Sequence, residues 1–366
     1  MQKKVLLIRS AFLGDFCVVF PQLKKFLSVN GLTIDNIHFL IQNPEGKNPL
    51  TVLFGNESKI SKKVTPIKTG NVFNYFFQLV KARWALGKFD KIVYLNWTME
   101  SGKAKFIKTS FLRLLWPGAE KVGFEIKKSY SSSHYVSPFL LKMQQSDYYA
   151  LDWYASMLPF PEQKRIEAND FLSDNRSKLN IGIYCNSKMQ AKIWPMTKYR
   201  DIINRLAQLK EVSFFLIGAT EDYTYNEILL KQLKEDDGLE SIYNIAGKLD
   251  VPQTIFFLNS MNLLITNDGF PMHLAALANT PILALFTYRE KVGSWDPFIT
   301  DKIVSIRTDV KCKECSKPYC SNPICITLTP SDIVYNKAVE ILNSTTNKRE
   351  FEVLFSELGL KSWNEE

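Results

Sequence analysis

Short, dense apolar runs alternate along this chain with longer stretches in which apolar residues recur every three or four positions. The runs Lys4–Arg9, Asn36–Ile41, Lys91–Leu95 and Lys121–Phe124 predict strands. The helical spacing of Phe16–Val29, Val72–Leu86 and Lys103–Leu115 predicts helices between them. The segment Ser129–Pro138 is polar and lacks apolar periodicity, and Asp147–Leu158 reads as a helix. The polar, proline-punctuated stretch Pro159–Asn180 reads as a linker.

A second series of the same kind follows. Strands are expected at Ile181–Tyr184, Ser213–Ile217, Ile242–Ile245, Leu263–Ile265 and Pro281–Phe286. Helices are expected at Thr197–Leu209, Tyr223–Lys234, Pro252–Asn259, near Pro271, at Ser331–Leu342 and at Glu350–Leu360. Strands alternating with helices imply mostly parallel α/β sheets. The expected division is a first Rossmann-like domain over 1–165, a second over 178–330 and C-terminal helices over 331–366.

The length of 366 residues suits two domains, and 46% hydrophobic against 23% charged residues describes a globular protein with two cores. No apolar run of about 18 residues exists, so no spanning helix is expected. Val5–Ile8 followed by Arg9 is too short for a signal-peptide core, which predicts a cytoplasmic protein. A net charge of +9, spread along the chain, predicts an anionic partner. No nucleic-acid-binding motif accompanies that charge, and G-x-G-x-x-G is missing after the first strand, which argues against a nicotinamide-dependent oxidoreductase.

Chemistry concentrates where strands end. Thr266-Asn267-Asp268-Gly269 closes one strand and leads into a helix, so its amides and the helix dipole are suited to phosphate. His273 on the first helical turn is either a further donor or a structural hydrogen-bonder. Arg9–Asp15 follows the first strand, with Gly14 permitting a tight turn; Asp15 reads as a helix cap or as a general base. Asn186–Pro195 carries Lys188 and Lys192, either solvated or placed to neutralise a departing diphosphate, and Trp194-Pro195 fixes the entry to the next helix. Glu221, after Ile217-Gly218, reads as a cap or a ribose ligand. The basic run Lys103–Lys128, with Lys103, Lys105 and Arg113, is a solvated face or a platform for an acidic acceptor or lipid headgroups. Cys312, Cys315, Cys320 and Cys325 have only partly zinc-like spacing, leaving structural zinc, reduced thiols and disulfides open, while Cys17 and Cys185 read as core residues.

Together the opening I-R-S-A-F-L-G-D-F-C-V-V-F-P-Q-L, the segment Phe89–Phe124 closing in V-G-F, Ile245–Phe286 with N-D-…-P-M-H-L-A-A, and the cysteine run ahead of T-L-T-P-S-D-I-V resemble glycosyltransferase family 9, the lipopolysaccharide heptosyltransferases. The likeness spans most of residues 1–342. It implies a GT-B fold, two facing Rossmann-like domains with an interdomain cleft, and an inverting transfer that needs no metal or other cofactor. The implied donor is a nucleotide-sugar such as ADP-heptose. The implied acceptor is an acidic lipid-linked glycan, a lipopolysaccharide core or related surface glycan, at the inner membrane surface. By this resemblance Asp15 is the base and Lys192 the phosphate-binding lysine. Lys188, Glu221, Asp268, Gly269, Met272 and His273 fall in the donor site, and Lys103, Lys105 and Arg113 in the acceptor site. The chain departs from the family pattern at Gly269-Phe270, where Ser/Thr-Gly is usual. That departure favours the alternative of a non-catalytic nucleotide- or anionic-glycan-binding relative.

Overall fold

A computed structural model describes residues 3–10, 13–94, 102–124, 150–172, 179–209, 211–289, 295–296, 303–311, 319–344, 349–355 and 359–363. The chain divides into two compact units, Met1–Pro159 and Phe160–Glu366.

The first unit is built on five parallel strands: β1 (Val5–Ser10), β2 (Ile37–Asn43), β3 (Val64–Lys68), β4 (Lys91–Tyr94) and β5 (Glu120–Val122). Their order is β3-β2-β1-β4-β5, with Val5 in register with both Ile37 and Lys91. All four residues Val5–Ile8 are buried, which is why β1 reads as a continuous apolar run rather than an alternating one. The chain winds outward from β1 through β2 to β3, then returns to β4 on the other side. This reversal between β1 and β4 leaves a crevice at the strands' carboxyl ends, where the helix Leu13–Val29 begins. Helices Val72–Leu86 and Gly102–Leu115 share one core cluster with Leu6, Ile8, Ile92 and Tyr94 of the sheet.

The second unit contains β6 (Leu179–Tyr184), β7 (Val212–Leu216), β8 (Ile242–Asn244), β9 (Leu263–Asn267), β10 (Ile282–Phe286), β11 (Ile303–Asp309), β12 (Arg349–Phe355) and β13 (Gly359–Trp363). Their order is β13-β12-β11-β10-β9-β6-β7-β8, parallel except for β13 against β12. Here the winding reverses between β6 and β9, which pair directly from Ile181↔Leu263 to Tyr184↔Thr266. Gly182 leaves room over β6 for side chains from both neighbouring strands, since a Cβ there would stand 2.8 Å from the side chain of Ile217, just past β7, and 3.1 Å from that of Leu264 in β9.

Two expectations need correction. Glu350–Leu360 is not helical where it is described: β12 and the start of β13 fall in it, so the described residues of 331–366 form one helix, Ser331–Asn343, and two strands. Glu350-Phe351-Glu352-Val353 alternates with a period of two, which suits a strand, and β11 supplies the partner. The presumed linker 159–180 contains a helix, Pro161–Asp170, within the second unit. Its surface is polar nearly all round, and an ion pair, a hydrogen bond and the stacking of Arg165 over the Phe256 ring, rather than an apolar stripe, dock it on helix Val251–Asn259 and its cap. Lys164 pairs with Asp250 at 2.7 Å, and Gln253 donates to Glu167 at 2.6 Å. Ser129–Pro138 lies outside the described residues.

Candidate donor-phosphate site

The strand reversal between β6 and β9 brings two loops side by side. The segment after β6 carries Lys188 and Lys192, and the turn after β9 carries Asp268. Lys192 Nζ donates to Asp268 Oδ2 at 2.5 Å, with the two side chains only 14% and 8% exposed. A charge pair so nearly dry cannot lose one member cheaply, so each carboxylate or ammonium fixes the other's position.

Asn267, the last residue of β9, clamps this arrangement. It is fully buried. Its Oδ1 accepts from the Tyr199 hydroxyl at 3.0 Å and from the Trp194 amide at 3.3 Å, while Nδ2 donates to the Asn186 carbonyl at 3.4 Å. One amide side chain therefore ties down both ends of the lysine-bearing loop. Trp194 is itself anchored by Nε1 donating to the Thr329 carbonyl at 3.0 Å. Asn186 Nδ2 donates to Asp222 Oδ1 at 2.8 Å, joining the loop after β6 to the turn after β7. Sequence reasoning missed Asn267, Tyr199, Asn186 and Asp222. The available signal was an amide residue at the end of an otherwise apolar strand.

Gly269 caps the helix Phe270–Leu277 in extended conformation, and Pro271 pre-sets its first turn. The Asp268 amide is taken by the Leu285 carbonyl. Pro271 has no N–H, so the amides this turn can offer an anion are those of Gly269, Phe270 and Met272. His273 lies on the same turn, 6% exposed. Burial pushes its pKa down to about 4; the Asp268 carboxylate opposes that shift, the Lys192 ammonium adds to it and Asp296 opposes it. The imidazole is neutral near pH 7, contributing polarity rather than charge.

Met272 was expected to touch the donor, but its side chain is completely buried and has no surface to offer. This short helix is enclosed on all sides, with every residue from Pro271 to Leu277 buried, so Met272 can offer an anion its backbone amide but not its side chain. Glu221 is exposed on the turn Thr220–Asp222, and the capping role belongs to its neighbour, since the Ala219 amide donates to Asp222 Oδ2 at 2.8 Å. Lys188 is exposed on its loop.

In the first unit, Asp15 is the third residue of helix Leu13–Val29, at the strand-order reversal; its side chain lies outside the described residues. Lys103 and Arg113 are exposed on helix Gly102–Leu115. Lys105 is not available as an acceptor contact, because it is 8% exposed with Nζ 6.0 Å from the Tyr94 ring centre. It shares a helix face with the buried Thr109 and Leu112 and turns inward with them. Cys312 and Cys315 lie outside the described residues, while Cys320 is exposed and Cys325 half-buried. Cys17 and Cys185 are buried, and burial pushes the Cys185 thiol up to about 12.

The sequence profile of glycosyltransferase family 9 (heptosyltransferase) matches residues 118–325. Lipopolysaccharide heptosyltransferase 1 of Campylobacter coli is 32% identical over 114 residues, covering 30% of this chain and 32% of the relative. This chain thus matches about a third of the length of that relative. Among solved structures, a glycosyl transferase family 9 member from Veillonella parvula superimposes with a TM-score of 0.65 at 17% identity, covering 93% of this chain and 97% of the other. The ADP-heptose lps heptosyltransferase II of E. coli does so with a TM-score of 0.58 at 17% identity, covering 93% and 98%. Two parallel-sheet α/β units with these structural counterparts make the fold GT-B.

Proposed function

We propose, because this chain belongs to glycosyltransferase family 9, that it is an inverting glycosyltransferase moving a sugar from a nucleotide-activated donor to a lipopolysaccharide core or related surface glycan. The observation that carries this reading is the Lys192–Asp268 pair seated at the β6/β9 strand reversal, where an α/β sheet places phosphate. The second unit binds the donor, and the first binds the acceptor. ADP-heptose is the proposed donor, in keeping with the name of the E. coli structural counterpart. No metal or other cofactor takes part in the proposed transfer.

In this mechanism Asp15 removes the proton of an acceptor hydroxyl. That oxygen attacks the anomeric carbon from the face opposite the nucleotide, and the diphosphate leaves with the electron pair of the broken C–O bond. Lys192, held by Asp268, exchanges its carboxylate partner for the departing phosphate oxygen as negative charge accumulates there. Amides of the Gly269 turn add hydrogen bonds, and the neutral His273 leaves the local charge to Lys192. Lys188 and Glu221, both on exposed loops, reach the diphosphate and the ribose. Lys103 and Arg113 meet an acidic lipid-linked acceptor on the inner face of the cytoplasmic membrane. No helix among the described residues is long and apolar enough to cross a membrane.

The test is incubation of the full chain with ADP-heptose and lipid-linked core acceptor, read by mass spectrometry. A product heavier by one heptose is expected. Asp15→Asn is expected to slow transfer about 10²–10⁴-fold with donor affinity unchanged. Loss of donor binding alongside turnover would remove the base assignment. Donor binding without turnover on any acceptor would favour the second reading, a non-catalytic binding relative, which the Gly269-Phe270 departure motivates.

A further inference from the structure

We infer that the paired helices Val72–Leu86 and Gly102–Leu115 form an interfacial surface that lays the first unit on an anionic lipid bilayer. These helices are adjacent. The rings of Phe76 and Phe111 meet edge to face at 4.5 Å, and Arg83 Nε donates to the Leu115 carbonyl at 2.8 Å. Both pack on the same core cluster, so their outward sides lie on one side of the five-stranded sheet.

That outward side is unlike an ordinary solvated helix pair. On the first helix Phe73 is 88%, Phe77 57% and Trp84 84% exposed, and they fall in one stripe at i, i+4 and i+11. On the second, Ile107 is 55% and Leu114 72% exposed, one stripe at i and i+7, with Phe106 beside it at 55%. A soluble helix turns such residues inward; here the inward stripes are already filled by Tyr75, Leu79 and Ala82, and by Thr109 and Leu112. Large apolar residues on both sides of a helix pair require a second apolar medium.

Charge selects the medium. Across the two helices there is no Asp or Glu, while six Lys or Arg occur. Lys81, Lys103 and Arg113 among them are exposed, and Lys81 Nζ stands 4.7 Å over the Phe77 ring. Aromatic and aliphatic tips among lysines with no acid is the chemistry of a headgroup–acyl boundary bearing negative charge. A protein partner or a second copy of this chain would have to supply a wholly acidic, apolar counter-surface. The inference deepens the proposal of a lipid-linked acceptor by naming the bilayer-facing surface, yet its own test needs no sugar transfer.

The full chain is mixed with vesicles of phosphatidylcholine alone or with phosphatidylglycerol, then sedimented. Co-sedimentation is expected only with the anionic vesicles, weakened by salt. The exposed-residue variant Phe73→Ser/Trp84→Ser is expected to abolish it while leaving the melting temperature unchanged. Lys81→Ala is expected to weaken it by about fivefold. Absent binding to anionic vesicles overturns the inference, as does binding indifferent to these substitutions. A concentration-dependent dimer that disappears in Phe73→Ser/Trp84→Ser, without vesicle binding, would assign the surface to a second copy instead. Vesicle binding in a protein that transfers no sugar would leave this inference standing and remove the proposed function.

Discussion

Removing the Lys192 ammonium separates what the Lys192–Asp268 pair does for the fold from the role proposed for it toward the donor. In Lys192→Met the alkyl stem remains, but Asp268, 8% exposed, keeps a charge whose partner at 2.5 Å has gone. Stranding one member of a nearly dry pair costs about 3–5 kcal/mol. The residual exposure of both groups places the expectation at the lower end, about 3 kcal/mol. Asp268→Asn in the same chain removes the stranded charge and is expected to recover most of that loss. Donor binding and turnover should not recover with it, because the cation proposed to meet the leaving diphosphate is still missing. A deficit of about 10²–10³ in kcat should persist in both Lys192→Met and the double variant. Urea unfolding gives the stability of each form, and calorimetry with an ADP-sugar plus a mass-spectrometric transfer assay gives the function. If the double variant regained activity along with stability, Lys192 would be a structural residue only. If Lys192→Met lost less than about 1 kcal/mol, the pair would not be held as tightly as its geometry indicates.

Two further outcomes follow from neighbouring groups. Burial lowers the pKa of His273 to about 4, against 6.5 for the free side chain. The unfolded chain therefore takes up a proton that the folded chain refuses, and stability falls as pH drops from about 6.5 towards about 4. The full drop is about 3 kcal/mol, and His273→Gln should flatten that part of the stability–pH curve relative to the parent; an unchanged slope would contradict the buried, neutral imidazole. His38 is also lowered to about 4, by burial and then by Lys63, and adds to the same acid sensitivity in the first unit. Asn267→Ala should cost about 1–3 kcal/mol by orphaning the Trp194 amide and leaving the Tyr199 hydroxyl only the Tyr184 carbonyl as partner. It should also raise KM for the donor more than it lowers kcat, whereas equal loss in both would argue against a role in positioning the lysine loop.

The alternation of apolar runs and helical stretches made the two α/β units legible, because parallel strands covered on both faces leave unbroken hydrophobic segments such as Val5–Ile8 and Leu263–Ile265. Lys192 and Asp268 were legible as polar residues just past strand ends. Their mutual pairing was not, since it depends on β6 and β9 being neighbours, and strand order is not written in local periodicity. β11 escaped notice for a related reason. Its Arg307 and Asp309 look like loop residues, yet Arg307 is buried in a two-pronged bond with Asp296 and lies 4.0 Å over the Phe286 ring. Helix Pro161–Asp170 escaped because polar and cation–π contacts rather than an apolar stripe hold it. The burial of the Met272 and Lys105 side chains was not legible, because type and spacing place a residue on a helix, whereas enclosure of the whole helix at Met272 and the phase of the helix against its sheet at Lys105 decide their exposure.

The clamp formed by Asn267 joins it to Asn186, Trp194 and Tyr199 across sequence separations of 81, 73 and 68 residues. During synthesis the loop bearing Lys192 leaves the ribosome long before the residue that will hold it. A nascent second unit that has folded β6, β7 and β8 still lacks the Asp268 turn, because β9, which carries it, must insert beside β6 after them. On the proposed function, donor affinity is then confined to a unit that has β9 in place, and a bound nucleotide-sugar would lend its binding energy to the whole sheet at once rather than to any partly formed piece of it.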